Sequence, residues 1–252
     1  MNLLKRYWKR LSLGFIVLLL LVCIGFFAWA TLIPAPSAEA FTALEGDASV
    51  QVVEDSGNWI FTPSDNPSQT GFVFYPGGRV DPRAYAPLAY DVAEAGYLAV
   101  IVSVPLNLAI FEIEAALPII NTYPDIQHWA VGGHSLGGSM AARFINAHSD
   151  EVTGLALLAS YPDIDLSPLD IEVVSIYGTL DGLAIPTVVE ASGAKLPEDT
   201  VWVRLEGGNH AQFGWYGPQD RDNPATMPPQ EQQAQTSQAV IDLLARISNL
   251  SE

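Results

Sequence analysis

The residues best suited to chemistry lie in the stretch Gly-Gly-His-Ser-Leu-Gly-Gly, residues 132–138. An apolar, strand-like run precedes this stretch and a helix-like segment follows it, and residues 133–137 fit the pattern G-x-S-x-G. The pattern is typical of a nucleophile on a sharp strand-to-helix turn, where flanking side chains would collide with backbone. The helix that follows aims its N–H groups at the serine and stabilises negative charge there. The pattern predicts Ser135 as a nucleophile, although a close-packed structural turn is the other interpretation.

A serine hydroxyl needs a base to take its proton and an acid to orient that base. Asp181 lies in a glycine-flanked turn directly after a predicted strand, residues 173–177, and His210 follows the last predicted strand, residues 201–205. Because the carboxyl ends of parallel strands share one edge of a sheet, both side chains are expected near the serine. We therefore predict Asp181 as the acid and His210 as the base.

Other acids and histidines are weaker candidates for these two roles. Asp163 and Asp165 follow the preceding strand and are rivals of Asp181. His128 and His148 are expected at the surface, and His134 is expected to point away from the nucleophile. His210 is the only histidine that follows Asp181 in the chain.

An acyl-transfer site also needs two N–H donors aimed at the developing oxyanion. One is expected from Leu136, the residue after the predicted nucleophile. The other is expected from the turn Tyr-Pro-Gly-Gly-Arg-Val, residues 75–80, because it follows an earlier strand and its glycines let backbone approach a substrate closely. Gly78 and Arg79 are both candidates for this donor, and the sequence does not choose between them.

The hydrophobic pattern predicts an α/β fold with a mostly parallel, doubly wound sheet and helices on both faces. A hairpin is expected around Asp55-Ser56-Gly57. The predicted strands cover residues 50–54, 58–62, 71–75, 98–104, 129–133, 152–159, 173–177 and 201–205. The predicted helices cover residues 81–95, 110–121, 139–145, 186–195 and about 230–250.

From about residue 50 to its C-terminus the chain resembles the α/β-hydrolase fold family. The resemblance rests on four motifs: PGG at 76–78, GHSLGG at 133–138, GTLDG at 178–182 and GGNH at 207–210. It is most similar to the compact, dienelactone-hydrolase-like branch, but Ser135 stands where that branch has cysteine. The resemblance implies general serine hydrolase chemistry, with Ser135, Asp181 and His210 in the family's order of serine, acid and histidine.

An uncharged apolar run of 23 residues, 11–33, is long enough to span a bilayer as a helix. We predict residues 1–10 as a basic cytoplasmic segment, 11–33 as a transmembrane helix, 34–48 as a linker and 49–252 as the hydrolase domain. The basic cluster before the run places the N-terminus in the cytoplasm and the domain across the membrane. The alternative is secretion after signal cleavage, for which residues 38–40, Ala-Glu-Ala, offer a site.

The formal net charge of -17 is unevenly distributed along the chain. Four of the 11 basic residues precede position 11, which leaves seven against 28 acidic residues and about -21 for the rest. Such an acidic domain repels phosphate backbones, so nucleic acid is excluded as a partner. The one cysteine, Cys23, lies within the apolar run, so the predicted domain has no disulfide and no thiol nucleophile.

These observations favour a membrane-anchored serine hydrolase that acts on small ester or thioester substrates without a metal or an organic cofactor. Two alternatives stay open: an acyltransferase that uses the same triad, and a membrane-tethered binding module without catalysis. The segment at 161–171 is too short for a large lid, so an open or shallow site is expected. The loop at 212–224 is rich in aromatic residues, which either line the substrate cleft or cover the core.

Overall fold

The structure is a computed structural model that describes residues 2–65 and 67–249. The chain divides into two compact units, Met1–Ile33 and Pro34–Glu252. The first unit is a single helix, α1, Asn2–Thr31, whose part from Arg6 to Thr31 is long and apolar enough to cross a membrane. A signal sequence near an N-terminus passes the same test of length and composition, so α1 is a candidate membrane-spanning helix on these two properties.

Among the described residues of the second unit, eight strands form one sheet. They are β1 Val50–Asp55, β2 Asn58–Pro63, β3 Thr70–Tyr75, β4 Leu98–Ile101, β5 His128–His134, β6 Gly154–Leu158, β7 Glu172–Gly178 and β8 Val201–Leu205. Their order in the sheet is β1-β2-β4-β3-β5-β6-β7-β8. Pairing is antiparallel between β1 and β2 and between β2 and β4, and parallel between all other neighbours. The predicted mostly parallel sheet is confirmed.

The α-helices of this unit cover both faces of the sheet. They are α2 Ala38–Leu44, α3 Ala86–Glu94, α4 Ala116–Thr122, α5 Leu136–Ala147, α6 Pro186–Ala191 and α7 Pro229–Ser248. Alternate side chains of the fully buried strand β3 point to opposite faces. Phe72 and Phe74 pack in the core with α3 and α7, whereas Val73 and Tyr75 pack in a second core with α4 and α5. The predicted doubly wound α/β architecture is therefore confirmed.

The predicted hairpin forms with its register running from Val50 opposite Pro63 to Asp55 opposite Asn58. Its two turn residues, Ser56 and Gly57, have φ values of 52° and 85°. Two positive φ values at a two-residue connection match the right-handed twist of the flanking strands. The turn residues thus fix where the antiparallel edge of the sheet begins.

Three of the segments that differ from the sequence-based expectation have a clear physical reason. β4 ends at Ile101 instead of residue 104, because Pro105 has no N–H to give to a ladder and the N–H of Ser103 donates to Asn58. The expected helix at 110–121 is α-helical only from Ala116, preceded by short 3-10 turns, since Pro118 is tolerated only in a helix's first turn. The segment 34–48, expected as a linker, contains α2, which packs against α3.

The end of the C-terminal helix also differs slightly from expectation. α7 runs from Pro229 to Ser248, and the predicted end at residue 250 lies outside the described residues. This helix matters for the site because it packs against β5, β7 and β8, the strands that Ser135, Asp181 and His210 follow. The direction of the strand order reverses between β3 and β5, and such a reversal is the usual place for a binding crevice in these sheets.

Candidate active site

Ser135 occupies a strained turn between β5 and α5. Its φ of 52° and ψ of -120° lie in a region that non-glycine residues rarely adopt, at a cost of about 1–3 kcal/mol. The turn is held from both sides, because the N–H of Ser135 donates to Leu158 at 2.9 Å and Ser160 Oγ donates to the Ser135 carbonyl at 2.7 Å. The side chain is partly exposed, so a substrate can reach it. This is the geometry expected of a nucleophile elbow.

The flanking glycines are required by close backbone contact. A Cβ on Gly133 would lie 2.5 Å from the carbonyl carbon of Gly137, and one on Gly137 would overlap the carbonyl oxygens of Tyr75 and Pro76. Neither contact can be relieved by a side-chain rotation, because the overlapping atoms are backbone. The G-x-S-x-G pattern therefore lets α5 approach the carboxyl ends of β3 and β5.

Asp181 and His210 form a buried hydrogen-bonded pair. Nδ1 of His210 lies 2.9 Å from Oδ2 of Asp181, and the two residues are 1% and 2% exposed, respectively. The other carboxylate oxygen, Oδ1, accepts the N–H groups of Leu183 at 2.8 Å and Ala184 at 2.7 Å. A carboxylate can only accept, so His210 donates from Nδ1 and its Nε2 is the basic nitrogen.

The elbow and the His210 loop meet through the residue before the serine. The imidazole rings of His134 and His210 lie 4.4 Å apart between centroids. Within the part of the chain that the structure describes, no hydrogen bond joins the Ser135 hydroxyl to His210. Catalytic hydrogen bonds of this kind are often long in a substrate-free enzyme and tighten when substrate binds.

The contacts of His134 were not predicted from the sequence. Its ring packs against His210, Phe213 and Tyr216. The expectation that its side chain points away from Ser135 stays a prediction. Burial, and after it the repulsion of a charged His210, hold the pKa of His134 well below its ordinary value. His134 is therefore a neutral ring beside the predicted base, a relationship that no spacing in the sequence indicates.

Asp222 joins the loop of Asp181 to the loop of His210. Its Oδ1 accepts the N–H of Gly182 at 3.0 Å, and its Oδ2 accepts the N–H of Ala211 at 2.8 Å. Gly182 follows Asp181 and Ala211 follows His210, so one carboxylate fixes the backbone beside both partners. In the sequence, the one indication of this role is the position of Asp222 in the long loop after His210.

Helix α7 holds the loop of His210 through a buried glutamine. Gln232 is fully buried, accepts the N–H of Asn209 at 3.1 Å and donates to the Asn209 carbonyl at 2.8 Å. The side chain of Asn209 in turn donates to the Asn223 carbonyl at 2.7 Å. The residue before His210 is thus held on both of its backbone groups, which limits the freedom of the loop.

The turn expected to supply the second oxyanion donor lies against the elbow. A Cβ on Gly78 would lie 3.2 Å from Cδ2 of Leu136, so the two predicted donor residues are neighbours. Arg79 has a φ of 59° and its N–H donates to the Asn107 carbonyl at 2.7 Å. The N–H of Leu136, at the first position of α5, has no carbonyl one turn earlier in the helix to accept it.

The rival residues lie in other environments. Asp163 forms a surface ion pair with Arg143, which lowers the pKa of Asp163, and Asp165 accepts the N–H and hydroxyl of Ser167. His148 pairs with Glu114 at 2.8 Å near the surface. Residues 2–65 and 67–249 contain no cluster of three or more side chains suited to hold a metal ion.

The aromatic loop at 212–224 packs into the core, and the segment at 161–171 is irregular. In the aromatic loop, Phe213 and Tyr216 are buried in the core and the N–H of Trp215 donates to the Ala84 carbonyl at 2.8 Å, so these aromatics cover core. The segment 161–171 contains neither helix nor strand. The chain segments that follow β4, β6 and β7 each carry an exposed apolar side chain, namely Phe111, Tyr161 and Ile185.

Comparison with known proteins agrees with this architecture. A model of the alpha/beta hydrolase family matches residues 71–235, which is more than half of the chain. The chain belongs to the alpha/beta-hydrolase family. No curated protein matches its sequence.

Two solved structures share the fold at low sequence identity. A putative hydrolase from Agrobacterium vitis S4 is 15% identical with a TM-score of 0.57, over 77% of this chain and 97% of that one. A predicted CIB-like hydrolase from Thermoplasma acidophilum is 13% identical with a TM-score of 0.53, over 77% of this chain and 98% of that one. At these identities the likeness concerns the fold alone. The match to the family model confirms the sequence-based resemblance to the α/β-hydrolase family, whereas the resemblance to its dienelactone-hydrolase-like branch stays a prediction.

Proposed function

We propose that this protein is a serine hydrolase that cleaves carboxylic ester or thioester bonds through an acyl-enzyme on Ser135. The observation that carries the proposal is the buried hydrogen bond between Asp181 and His210. It lies at the sheet edge where the strained Ser135 directly follows β5. A histidine that donates from Nδ1 to a buried carboxylate is poised to accept a proton at Nε2. Family membership supports hydrolysis as the reaction class.

In the proposed mechanism, Ser135 Oγ attacks the carbonyl carbon while its proton passes to Nε2 of His210. The tetrahedral oxyanion accepts hydrogen bonds from backbone N–H groups, and its collapse expels the alcohol or thiol, which takes the proton from His210. Water then repeats the sequence and releases the acid. Asp181 stays ionised throughout and stabilises the imidazolium.

For the oxyanion donors we propose Leu136 together with Gly78. Of the two candidates in the turn, Arg79 gives its N–H to the Asn107 carbonyl, and the neighbouring Gly77 gives its N–H to the Tyr85 hydroxyl. The contact of Gly78 with Leu136 supports its N–H as the second donor.

We propose an uncharged, apolar acyl group as the preferred one. The exposed apolar side chains of Phe111, Tyr161 and Ile185, in segments that follow β4, β6 and β7, support this proposal, and the net negative charge disfavours anionic substrates. Rates of hydrolysis across nitrophenyl esters of increasing chain length would test this. A preference for the shortest or for a charged acyl group would contradict it.

The nucleophile is tested by labelling the full-length protein with a fluorophosphonate probe. Labelling is expected in the wild type and is expected to vanish in Ser135→Ala. Ser139→Ala is the matched control, because this neighbouring serine uses its hydroxyl to donate to the Tyr161 carbonyl and should leave labelling intact. Labelling that persists in Ser135→Ala would refute the assignment.

We further propose that α1 is retained as a membrane anchor, with the hydrolase unit on the extracytoplasmic side. The exposed apolar surface of Arg6–Thr31 and the basic residues that precede the apolar run support this arrangement. Alkaline extraction of membranes, followed by N-terminal sequencing of the C-terminally tagged protein, tests it. An N-terminus after residue 38 with release into the soluble fraction would show instead a cleaved signal.

A further inference from the structure

We propose that His134 and Tyr85 form a buried positioning pair that holds the oxyanion turn and the base His210 in register with Ser135. This inference rests on the proposed function, since it assigns a role to residues that support the predicted nucleophile, donor and base. Neither residue is expected to contact the reacting atoms.

The Tyr85 hydroxyl connects the oxyanion turn to the elbow. It accepts the N–H of Gly77 at 3.0 Å and lies 2.8 Å from Nδ1 of His134. Burial raises the pKa of Tyr85, so the hydroxyl keeps its proton and donates it to Nδ1. A single hydroxyl thus couples the residue before Gly78 to the residue before Ser135.

The ring of His134 carries the connection on to the base. It lies 4.4 Å from the ring of His210 on one side and stacks at 5.8 Å against Phe213 on another. All three side chains are at most 1% exposed. In such a packed environment a rotation of His210 requires displacement of His134, so the orientation of the base depends on this ring.

The neutral state of His134 is essential to this role. During acyl transfer His210 becomes an imidazolium, and a second positive charge at this distance would oppose its formation. Because the low pKa of His134 keeps its ring uncharged, it supports the base without that repulsion.

Three substitutions separate the parts of this pair. Tyr85→Phe removes the hydroxyl and leaves both Gly77 and His134 without their partner. His134→Phe keeps a ring against His210 but removes the acceptor for Tyr85. His134→Gln keeps an acceptor but removes the ring from His210.

Tyr177→Phe is the matched control. Tyr177 is also buried, and its hydroxyl donates to Oε1 of Glu190 at 2.8 Å, a contact that involves neither the oxyanion turn nor the elbow. Its loss should therefore change kcat by less than about twofold.

The readouts are kcat, KM and the pH profile of the full-length protein with a nitrophenyl ester. We expect Tyr85→Phe to lower kcat roughly 10- to 100-fold with KM changed less than about threefold, because misplaced groups slow the chemical step. His134→Phe should lower kcat about 10-fold, because it too misplaces the groups that carry out the chemical step. His134→Gln should move the acidic limb of kcat/KM to higher pH, since an amide and entering water solvate the imidazolium better than a packed ring.

The inference is overturned if Tyr85→Phe and His134→Phe keep kcat within about twofold of the wild type. It is also overturned if Tyr177→Phe lowers kcat as much as Tyr85→Phe does, because the effect would then follow from the loss of any buried tyrosine hydroxyl. Should Tyr85→Phe fail to fold, an unmoved pH profile in His134→Gln would overturn it. Failure of the proposed function is distinct, because a wild type without fluorophosphonate labelling would show it before any variant is made.

Discussion

Nδ1 of His210 donates to Oδ2 of Asp181 at 2.9 Å, with both side chains almost fully buried. These residues are separated by 29 positions in the chain and belong to loops that follow β7 and β8, which are parallel neighbours in the sheet. The pair therefore exists because two strand ends meet at one edge. It leaves Nε2 of His210 as the basic nitrogen, which the proposed mechanism needs to accept the proton of Ser135.

Asp181→Asn is expected to lower kcat by about 10³- to 10⁴-fold. The oxygen of the new amide would keep the N–H groups of Leu183 and Ala184, so its NH₂ group would face His210. The ring would then have to accept at Nδ1 and carry its proton on Nε2, which removes the base. Ester hydrolysis by the purified variant measures this, and a thermal melt close to the wild type would show that the fold is kept.

Asp163→Asn serves as the comparison, because Asp163 was the rival acid in the sequence. Its carboxylate pairs with Arg143 at the surface. Since exposed ion pairs contribute only about 0–1 kcal/mol, both stability and kcat should remain near the wild-type values. A large loss of kcat in Asp163→Asn would reverse the assignment of the acid.

Asp222→Ala is expected to lower kcat about 10-fold, because the backbone beside both Asp181 and His210 loses its shared acceptor. Two backbone donors left without partners would also reduce the free energy of unfolding by about 1–3 kcal/mol. Steady-state kinetics and denaturant unfolding measure the two effects. Asp165→Ala, which removes a carboxylate that bonds only the nearby Ser167, should leave kcat unchanged.

Gly137→Ala is expected to destabilise the fold by more than about 3 kcal/mol, since the new methyl group would overlap backbone oxygens at the end of β3. Thermal unfolding and the yield of folded protein measure this. Gly193→Ala is the control, because its methyl group would meet only the Trp202 ring, at 3.2 Å, and this half-exposed side chain can move. Equal effects of the two substitutions would contradict the account of the elbow.

The buried His134 is expected to make stability depend on pH. The unfolded chain binds a proton at His134 below the ordinary value of 6.5, whereas burial prevents protonation in the folded state. The contribution of His134 to the free energy of unfolding is therefore fully present above pH 6.5. Below that pH it falls by about 1.4 kcal/mol per pH unit, until the lowered pKa of the folded state is reached. Urea unfolding of the wild type and His134→Gln between pH 7 and 5 measures the difference, and parallel curves would refute it.

The sequence predicted those features that depend on local pattern. Apolar runs indicated the central strands β3 to β7, because a strand covered on both faces needs a continuous buried stretch. The turn residues at 55–57 indicated the hairpin of β1 and β2. The α-helix around residues 110–121 was placed too early, since hydrophobic periodicity does not register how Pro118 limits a helix start. The helix at Ala38–Leu44 was missed because its stability comes from packing on α3 instead of from its own seven residues.

By itself the sequence determined which residues could carry the chemistry. Ser135, Asp181 and His210 stand at the ends of predicted strands, and glycines flank the serine because no other residue fits there. Only the tertiary structure decided how these residues are supported. The contacts of His134 with Tyr85 and of Asp222 with both loops join segments far apart in the chain, and such contacts leave no periodicity or spacing in the sequence.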